Sequence, residues 1–357
     1  MKPEIRDFNV RQFSSDKILK HLDRVNEWLK GGNPYPITVE LDMTNRCNHR
    51  CPQCVVNYFR VADNSSLSKA LARDIILQLA KNKVRGLIFT GGGEPLCNPY
   101  TLEAIKLARA KGLDLGFITN ASLLNEESAK IIVKNCTWVR VSLDAASPEV
   151  FRVTHGLGSN EFAKTIDRIG LLVRTKKKLK TNCVIGVGFL TCDSSVSDMA
   201  GAARLTKKLG VDYLQFRPMQ IHNGGKFGYH WTDVQKEIVE CLKYSGKGFE
   251  VLYSKHKYEM SHDSRYGRNY GKCYGHQFAT VISAAAKMYI CCHTRGYEKY
   301  CIGDLRKKTF KEIWNSRKRK AVIEKIDFRD CIPLCRDNTF NQILWNIKQP
   351  REHVNFL

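Results

Sequence analysis

The sequence predicts an α/β protein in which parallel strands and helices alternate along most of the chain. Short β-branched or apolar runs end in Gly, Asn or Asp, and each is followed by a longer amphipathic stretch. This unit begins near residue 37 and occurs six times, up to about residue 217. Six units are too few for a full eight-stranded barrel, so a partial, open barrel and a doubly wound sheet both fit.

The predicted elements follow one another in chain order. The strands are Ile37–Asp42, Gly86–Thr90, Asp114–Thr119, Trp138–Leu143, Cys183–Leu190 and Tyr213–Arg217. The helices between them are Leu67–Lys81, Pro99–Lys111, Asn125–Lys134, Phe162–Lys176 and Ser197–Leu209. Because either arrangement collects functional groups at the carboxyl ends of its strands, we expect the site there.

The segments outside residues 37–220 have a different pattern. Residues 1–36 predict an N-terminal helical extension, and the alternation stops after Pro218. Residues 221–272 form a polar, aromatic connecting segment, and residues 273–357 predict a small α+β domain. The expected elements are helices at Asp16–Leu29, Thr232–Tyr244 and Phe310–Glu324 and a hairpin of Phe278–Ser283 with Lys287–Cys292.

Composition limits the class of protein. The 357 residues are 43% hydrophobic, which is enough for a sizeable core. No apolar run approaches the roughly 18 residues that span a bilayer, and no signal peptide is evident, so we expect a cytoplasmic protein without a membrane partner. Thiols stay reduced in that compartment, so the 14 cysteines favour metal binding over a disulfide framework.

The net charge is strongly positive. Lys and Arg number 58 against 35 Asp and Glu, which gives +23. Such an excess favours an anionic partner, such as nucleic acid or a phosphorylated substrate, although an evenly basic surface could serve solubility alone. The excess is spread over both halves of the chain, which argues against a basic tail.

The first cysteine motif follows the first predicted strand directly. Cys47, Cys51 and Cys54 are spaced so that three thiolates can face one iron–sulfur cluster from a single loop. A [4Fe–4S] cluster has four irons, so three cysteines leave one iron open. A zinc site that lacks its fourth ligand is the alternative.

A glycine motif, Gly91-Gly92-Gly93-Glu94, follows the second predicted strand. Glycines let the backbone approach a ligand closely, and the Glu94 carboxylate can receive an amine. The motif lies one βα unit after the cysteine loop, so both are expected at the same edge of the sheet.

Together these motifs resemble those of the radical S-adenosylmethionine (SAM) enzymes. The resemblance covers residues 37–220 and implies a partial (β/α)6 barrel. It implies that Cys47, Cys51 and Cys54 hold a [4Fe–4S] cluster whose open iron binds the amino and carboxylate groups of SAM, and that Gly91–Glu94 line the methionine amine. It also implies reductive cleavage of SAM to a 5′-deoxyadenosyl radical, with an external electron donor such as flavodoxin or ferredoxin.

Further residues follow from the same resemblance. Asn120 and Ser142 end the third and fourth strands, where such proteins contact the carboxylate or ribose, and Arg217 is a further candidate for the carboxylate. Gln53 departs from the aromatic residue that often precedes the third cysteine. Asp144, Cys192 and Arg217 are the candidates for catalytic groups near the substrate.

A second group of cysteines lies near the C-terminus: Cys273, Cys291, Cys292, Cys301, Cys331 and Cys335. It resembles the auxiliary-cluster extensions called SPASM or Twitch domains, and we favour the one-cluster Twitch form. The resemblance then implies an auxiliary [4Fe–4S] cluster, with Cys292 as a rival to one ligand and a zinc knuckle as the alternative. The expected ligands are Cys273, Cys291, Cys331 and Cys335.

The substrate is the least determined feature. Between Tyr253 and His276, basic residues alternate with tyrosines, a pattern that can track phosphates and stack on bases. We therefore expect an anionic substrate, a nucleotide or a base in DNA or RNA. The alternatives are dehydrogenation, epimerisation or isomerisation of a peptide or sugar-derived small molecule, and a non-enzymatic metal-binding nucleic-acid module. Residues 1–35 are too short for a separate peptide-binding domain, and the glycine motif argues against the module.

Overall fold

The computed structural model describes residues 14–219, 230–262, 268–332, 335–349, 352, 353 and 355. Within these ranges the strands join into a single sheet. Strands β1 to β10 are Thr38–Asp42, Gly86–Thr90, Asp114–Thr119, Trp138–Ser142, Val184–Thr191, Tyr213–Pro218, Glu250–Tyr253, Ala279–Ile282, Lys287–Tyr289 and Cys301–Asp304. Their order in the sheet is β10-β9-β8-β1-β2-β3-β4-β5-β6-β7.

Helices follow most of the strands. A short 3-10 helix, Ser15–His21, precedes the first α-helix. Helices α1 to α13 are Leu22–Leu29, Asn57–Arg60, Lys69–Lys81, Thr101–Ala110, Glu126–Asn135, Pro148–His155, Asn160–Leu179, Met199–Leu209, Trp231–Leu242, Lys255–His262, Phe310–Trp314, Arg317–Glu324 and Asn338–Lys348. In the described part of the chain, no helix combines the length and apolarity that crossing a bilayer requires.

The parallel partial barrel is confirmed, with two differences from the sequence pattern. Strands β1 to β7 pair in parallel, so the alternation continues for one unit beyond Pro218 through α9 and β7. The C-terminal hairpin of β8 and β9 does not stand apart, because β8 pairs in parallel with β1 from Thr38 and Ala279 onward. The C-terminal strands therefore extend the barrel sheet at its first edge.

The two faces of the sheet differ in composition because successive side chains on a strand point to opposite sides. One face is apolar and packs under the helices, with Leu41, Phe89 and Phe117 fully buried. The other face lines the barrel interior and carries polar side chains such as Gln215. It also carries Gly186, where a Cβ atom would lie 1.9 Å from the Tyr213 ring. Glycine on this face therefore makes room for large side chains in the interior.

A buried ion-pair group joins the C-terminal segment to the barrel. Arg295, which follows β9, donates from Nη2 to Glu40 Oε2 at 2.7 Å, and its Nε lies 3.1 Å from Asp42 Oδ2. Its Nη1 also donates to the Gly91 carbonyl oxygen at 3.4 Å. Arg336 pairs with the second oxygen of Glu40. Burial raises the pKa of Asp42 to about 7, although the Arg295 charge opposes this shift.

The N-terminal extension packs against the same C-terminal segment. Trp28 on α1 makes edge contacts with Tyr274 at 4.9 Å and Phe278 at 5.8 Å between ring centroids. The Trp314 indole N–H on α11 donates to the Pro34 carbonyl oxygen at 3.0 Å. The two ends of the chain thus support each other beside β1.

We expect Arg295→Met to destabilise the reconstituted protein by about 3–5 kcal/mol at pH 8, because it leaves the buried Asp42 carboxyl group without its cation, whereas Glu40 keeps Arg336. The folded-state pKa of Asp42 is already raised from 3.8 to about 7, and the variant raises it further. A carboxyl group with a raised pKa loses stability as pH rises, so the deficit should shrink at pH 5, where Asp42 is protonated. Urea unfolding at both pH values measures the difference.

Arg306→Met is the matched control. Arg306 pairs with Asp304 at 2.6 Å but is about half exposed, so its loss should cost less than about 1 kcal/mol. The role of the buried ion-pair group would be contradicted if the two substitutions lowered the free energy of unfolding equally. It would also be contradicted if the loss in Arg295→Met were larger at pH 5 than at pH 8.

Candidate functional site

An open cavity lies at the carboxyl ends of the barrel strands. Its volume is about 210 Å³, which is below the roughly 300–1,000 Å³ that is typical of pockets enclosing a drug-sized ligand. Most of the residues expected from the sequence share its wall: Cys47, Cys51, Cys54, Gly91, Gly92, Gly93, Glu94, Asn120, Ser142 and Asp144. The wall also includes Gln53, His49, Arg60 and His155, the last three of which the motifs did not indicate.

The glycine motif is paired with the start of the cysteine loop. The Gly93 N–H donates to the Thr44 carbonyl at 3.0 Å, and the Glu94 N–H donates to the Arg46 carbonyl at 2.9 Å. A Cβ atom at Gly93 would lie 1.9 Å from that Arg46 oxygen, and one at Gly92 would lie 2.1 Å from Asn45 Oδ1. From the sequence alone, these glycines are expected to let the backbone approach a ligand closely. In the structure they admit the cysteine loop.

Helix α6 holds the other side of the loop. It ends at Gly156, which has a left-handed φ of 65° and lies against Arg50. A Cβ atom there would be 2.4 Å from the Arg50 carbonyl oxygen. The Arg50 N–H donates to the His155 carbonyl at 3.1 Å. The loop is therefore held between the glycine motif and the end of α6.

The three thiols of the loop fit a cluster bound by three cysteines. All three are half-buried and face one cavity from a single loop. Burial raises the pKa of the Cys47 and Cys51 thiols. Because iron binds the thiolate, loading of the site should release protons.

A chain of hydrogen bonds leads from Asp144 to the loop. The Asp144 backbone N–H donates to His155 Nε2 at 3.2 Å, which leaves the ring proton of a neutral His155 on Nδ1. That Nδ1 lies 3.2 Å from His49 Nδ1 and 3.7 Å from Cys51 Sγ. His49 Nε2 then lies 2.8 Å from Ser122 Oγ. Burial lowers the pKa of His155 to about 3 and that of His49 to about 4, so both rings are neutral and an N–H faces Cys51.

Glu94 is held rigidly in the wall of the cavity. Its Oε1 accepts from the Thr119 hydroxyl at 2.7 Å and from the Leu96 N–H at 3.2 Å. Its Oε2 accepts from the Asn120 N–H at 2.7 Å. Burial raises the pKa of Glu94 to about 7. A carboxylate oxygen can accept two bonds, so Oε2 can receive one further donor, such as an amine.

The three candidate catalytic residues lie at different depths. Asp144 is in the cavity wall, where its Oδ1 accepts from the Leu190 N–H at 2.7 Å and burial raises its pKa to about 6. Arg217 lies on the interior face of β6, beyond the wall. Cys192 is buried after β5, with its Sγ 3.9 Å from Gln53 Nε2. Asp144 alone of the three is in the wall of the cavity.

The C-terminal cysteines converge beyond β1. Cys335 lies close enough to Cys273 and Cys292 for their charges to raise its pKa, and Cys331 acts on Cys273 in the same way. The Cys291 and Cys292 thiols share a hydrogen bond, which raises the pKa of Cys291 and lowers that of Cys292. Both remain candidates for the fourth ligand.

The tyrosine-rich segment does not form the expected stacking surface in its described part. Tyr258 is fully buried, stacks on Trp231 at 4.9 Å and shares a hydrogen bond with Thr191 at 2.6 Å. Tyr253 and Lys257 are also buried. Residues 263–267 lie outside the described residues. The prediction of an exposed, base-stacking face is therefore wrong for these tyrosines, which serve as core residues.

Comparisons with known proteins give the same assignment as the geometry. Residues 41–193 match the radical SAM superfamily, and residues 273–337 match SPASM, an iron–sulfur cluster-binding domain. The mycofactocin maturase MftC of Mycolicibacterium smegmatis is 30% identical over 302 residues, which cover 82% of this chain and 73% of that protein. MftC of Mycobacterium ulcerans is 32% identical over 137 residues, 38% of this chain, and the chain spans 37% of that relative.

A solved structure shows the same fold. SuiB of Streptococcus suis, bound to its precursor peptide SuiA, superposes with a TM-score of 0.66 at 13% identity over 87% of this chain and 72% of that one. The chain therefore belongs to the radical SAM superfamily: it is an enzyme that uses a [4Fe–4S] cluster and S-adenosylmethionine, and it carries a SPASM domain for additional iron–sulfur clusters.

Proposed function

We propose that this enzyme modifies a peptide by hydrogen abstraction, with dehydrogenation, epimerisation or isomerisation as the outcome. The observation that carries the proposal is that the cysteine loop, the glycine motif and the interior face of the barrel line one and the same cavity. A maturase relative that aligns along most of the chain and a structural neighbour bound to a precursor peptide favour a peptide over nucleic acid. The burial of Tyr253 and Tyr258 weakens the basic, tyrosine-rich segment as a sequence argument for nucleic acid and leaves the positive net charge as the other argument.

The residues of the cavity have distinct proposed roles. Cys47, Cys51 and Cys54 hold the cluster, and Gly91–Glu94 line the methionine amine of SAM. When bound there, the reduced cluster and SAM would supply the one-electron cleavage chemistry that gives a 5′-deoxyadenosyl radical, able to take hydrogen from an unactivated carbon. The electron comes from an external donor such as flavodoxin or ferredoxin.

The surrounding side chains position the ligands and exclude water. Asn120 and Ser142 are candidates for the SAM carboxylate or ribose, and both lie in the cavity wall. Asp144, with its pKa raised to about 6, can hold or accept a proton near neutral pH. Its Oδ1 is fixed by the Leu190 N–H, so Oδ2 is the atom that remains for such a proton.

The C-terminal domain contributes the auxiliary cluster in this proposal. Cys273, Cys291, Cys331 and Cys335 are the proposed ligands, with Cys292 as the rival to Cys291. A cluster held by four cysteines would have no open iron. It would supply either an electron acceptor for a dehydrogenation or structural support for the pocket alone. The domain boundaries at residues 36, 220 and 272 stay predictions.

The cluster assignment predicts a loss of SAM cleavage in Cys47→Ala. Anaerobic incubation of the reconstituted protein with SAM and dithionite should give 5′-deoxyadenosine, and the variant should give only the level of a protein-free control. Cys136→Ala, which removes a buried thiol outside the cavity, is the matched control and should keep the product. Continued formation of 5′-deoxyadenosine by Cys47→Ala would contradict the assignment.

The one-cluster form of the C-terminal domain predicts a metal content. Reconstituted protein should hold about eight iron and about eight sulfide ions per chain, and a second auxiliary cluster would raise each to about twelve. Cys335→Ala should lower both counts, by up to about four of each, because it removes one of the four proposed ligands of the auxiliary cluster. Cys301→Ala should keep all of them, since Cys301 packs in a small apolar cluster with Val281 and Tyr289. About one zinc per chain with no sulfide in this domain would support the zinc knuckle.

The substrate class is tested with a short peptide encoded beside the gene. We expect its mass to change only when SAM and reductant are both present, with 5′-deoxyadenosine formed in parallel. An unchanged peptide, together with oligonucleotide binding whose log–log salt slope is several units, would instead support a nucleic-acid substrate.

A further inference from the structure

Three basic side chains meet on the interior side of the barrel. Arg140 on β4 and Arg217 on β6 flank Gly188 on the strand between them. A Cβ atom at Gly188 would lie 3.2 Å from Arg140 Cδ and 3.3 Å from Arg217 Nη2, so the missing side chain leaves space for both arginines. Lys257 on α10 is 8% exposed and lies close enough to both arginines for their charges to lower its pKa.

None of these cations forms a salt bridge within the described ranges. The ion pairs and side-chain hydrogen bonds there leave out all three, and the buried Nε atoms of Arg140 and Arg217 lack an acceptor. The nearest acidic groups act on these cations through longer-range charge, Asp144 on Arg217 and Glu40 on Arg140, without a direct salt bridge. Asp144 accepts the Leu190 N–H, and Glu40 pairs with two other arginines of the C-terminal segment.

Holding these cations together without a partner is unfavourable for the fold. Burial and the Arg140 charge lower the pKa of Arg217 to about 9, although Asp144, Tyr213 and Tyr258 oppose the shift. Burial and the charges of Arg217, Arg336 and Arg140 lower the pKa of Lys257 to about 7, although the charge of Cys335 opposes the shift. Like charges that share a partly enclosed site without a salt-bridge partner are typical of a binding site whose ligand supplies the opposite charge.

The cations lie next to the cavity but deeper than the cysteine loop. Arg140 pairs with Ile118 on β3, and Arg217 pairs with Leu190 on β5. Ile118 and Leu190 both line the cavity. Arg140 also lies two residues closer to the amino end of its strand than Ser142, which is in the wall. A ligand that contacts the cluster side of the cavity could therefore extend an anionic group toward these cations.

We propose that Arg140, Arg217 and Lys257 form a carboxylate site that holds an acidic group of the peptide substrate inside the barrel. The inference rests on the proposed peptide substrate. The planar fork of a guanidinium matches a carboxylate in two-point hydrogen bonding, which favours a carboxylate over a diffuse charge. Anchoring at this depth would present the neighbouring carbon atoms of the substrate to the cysteine-loop side of the cavity.

A binding experiment without turnover tests the site. The reconstituted protein is saturated with SAM, kept without reductant and dialysed to equilibrium against N-acetylglutamate N-methylamide or its neutral glutamine isostere. We expect the glutamate probe to bind at least about tenfold more tightly. Arg140→Met and Lys257→Met should each reduce this preference to within about twofold of unity. Arg306→Met and Lys208→Met remove exposed cations and are the matched controls that should preserve it.

Unfolding provides a second measurement. Each methionine variant of Arg140 or Lys257 should raise the urea midpoint, because it removes an uncompensated buried charge and keeps an apolar side chain of similar length. A lower midpoint would assign the cations to the stability of the barrel and overturn the proposal. The proposal would also be overturned if the parent protein showed no preference for the glutamate probe, or if both variants kept the full preference.

The carboxylate of SAM is the other possible occupant, and the same variants distinguish it. Weaker SAM binding by Arg140→Met with an unchanged glutamate preference would assign the site to SAM and overturn the proposal. Failure of the carboxylate site can be told apart from failure of the proposed function, because the glutamate probe measures binding in the absence of turnover. If the parent protein modifies a peptide but shows no preference for glutamate over glutamine, the carboxylate site is overturned and the proposed function is not.

Discussion

The position of Arg295 between Glu40 and Asp42 is the constraint on which the rest of the structure depends. The arginine belongs to the C-terminal segment, whereas both carboxyl groups belong to the first barrel strand, directly before the cysteine loop. The same guanidinium also contacts the Gly91 carbonyl in the glycine motif. The first strand, the glycine motif and the C-terminal segment, which are distant in sequence, thus contact one another through the Arg295 guanidinium. Since a buried carboxyl group is costly without its cation, they are expected to assemble together.

This arrangement explains why the two halves of the chain are not independent. The sequence pattern suggests a barrel followed by an appendage, but β8 pairs with β1 and the hairpin continues the sheet. The cysteine loop is held by hydrogen bonds to the glycine motif and to the end of α6. Arg295 then links that motif to the SPASM segment. The geometry of the cavity is therefore set by contacts from both ends of the chain.

Local patterns predicted the barrel strands and the motif residues, because β-branched runs and cysteine spacing are properties of short segments. Strand β7 was missed because it has four residues, too few for a clear alternation, and lies among polar neighbours. The pairing of β8 with β1 and the contacts of His155 with Cys51 join residues far apart in sequence. The tyrosines of the connecting segment were misassigned because a basic, aromatic composition does not show which side chains are buried. Part of the +23 charge likewise lies in the interior, on residues such as Arg140 and Arg295.

The pairing of β8 along β1 has a consequence for how the polypeptide can be divided. Without the hairpin, β1 would present a row of free backbone N–H and C=O groups at the open seam of the sheet. Exposed edges of this kind are templates for pairing with other molecules and for aggregation. The C-terminal segment therefore covers the edge of the first strand by pairing with it, in addition to any role in electron transfer. A barrel fragment expressed alone should self-associate through that edge, so the segment is part of the minimal soluble unit.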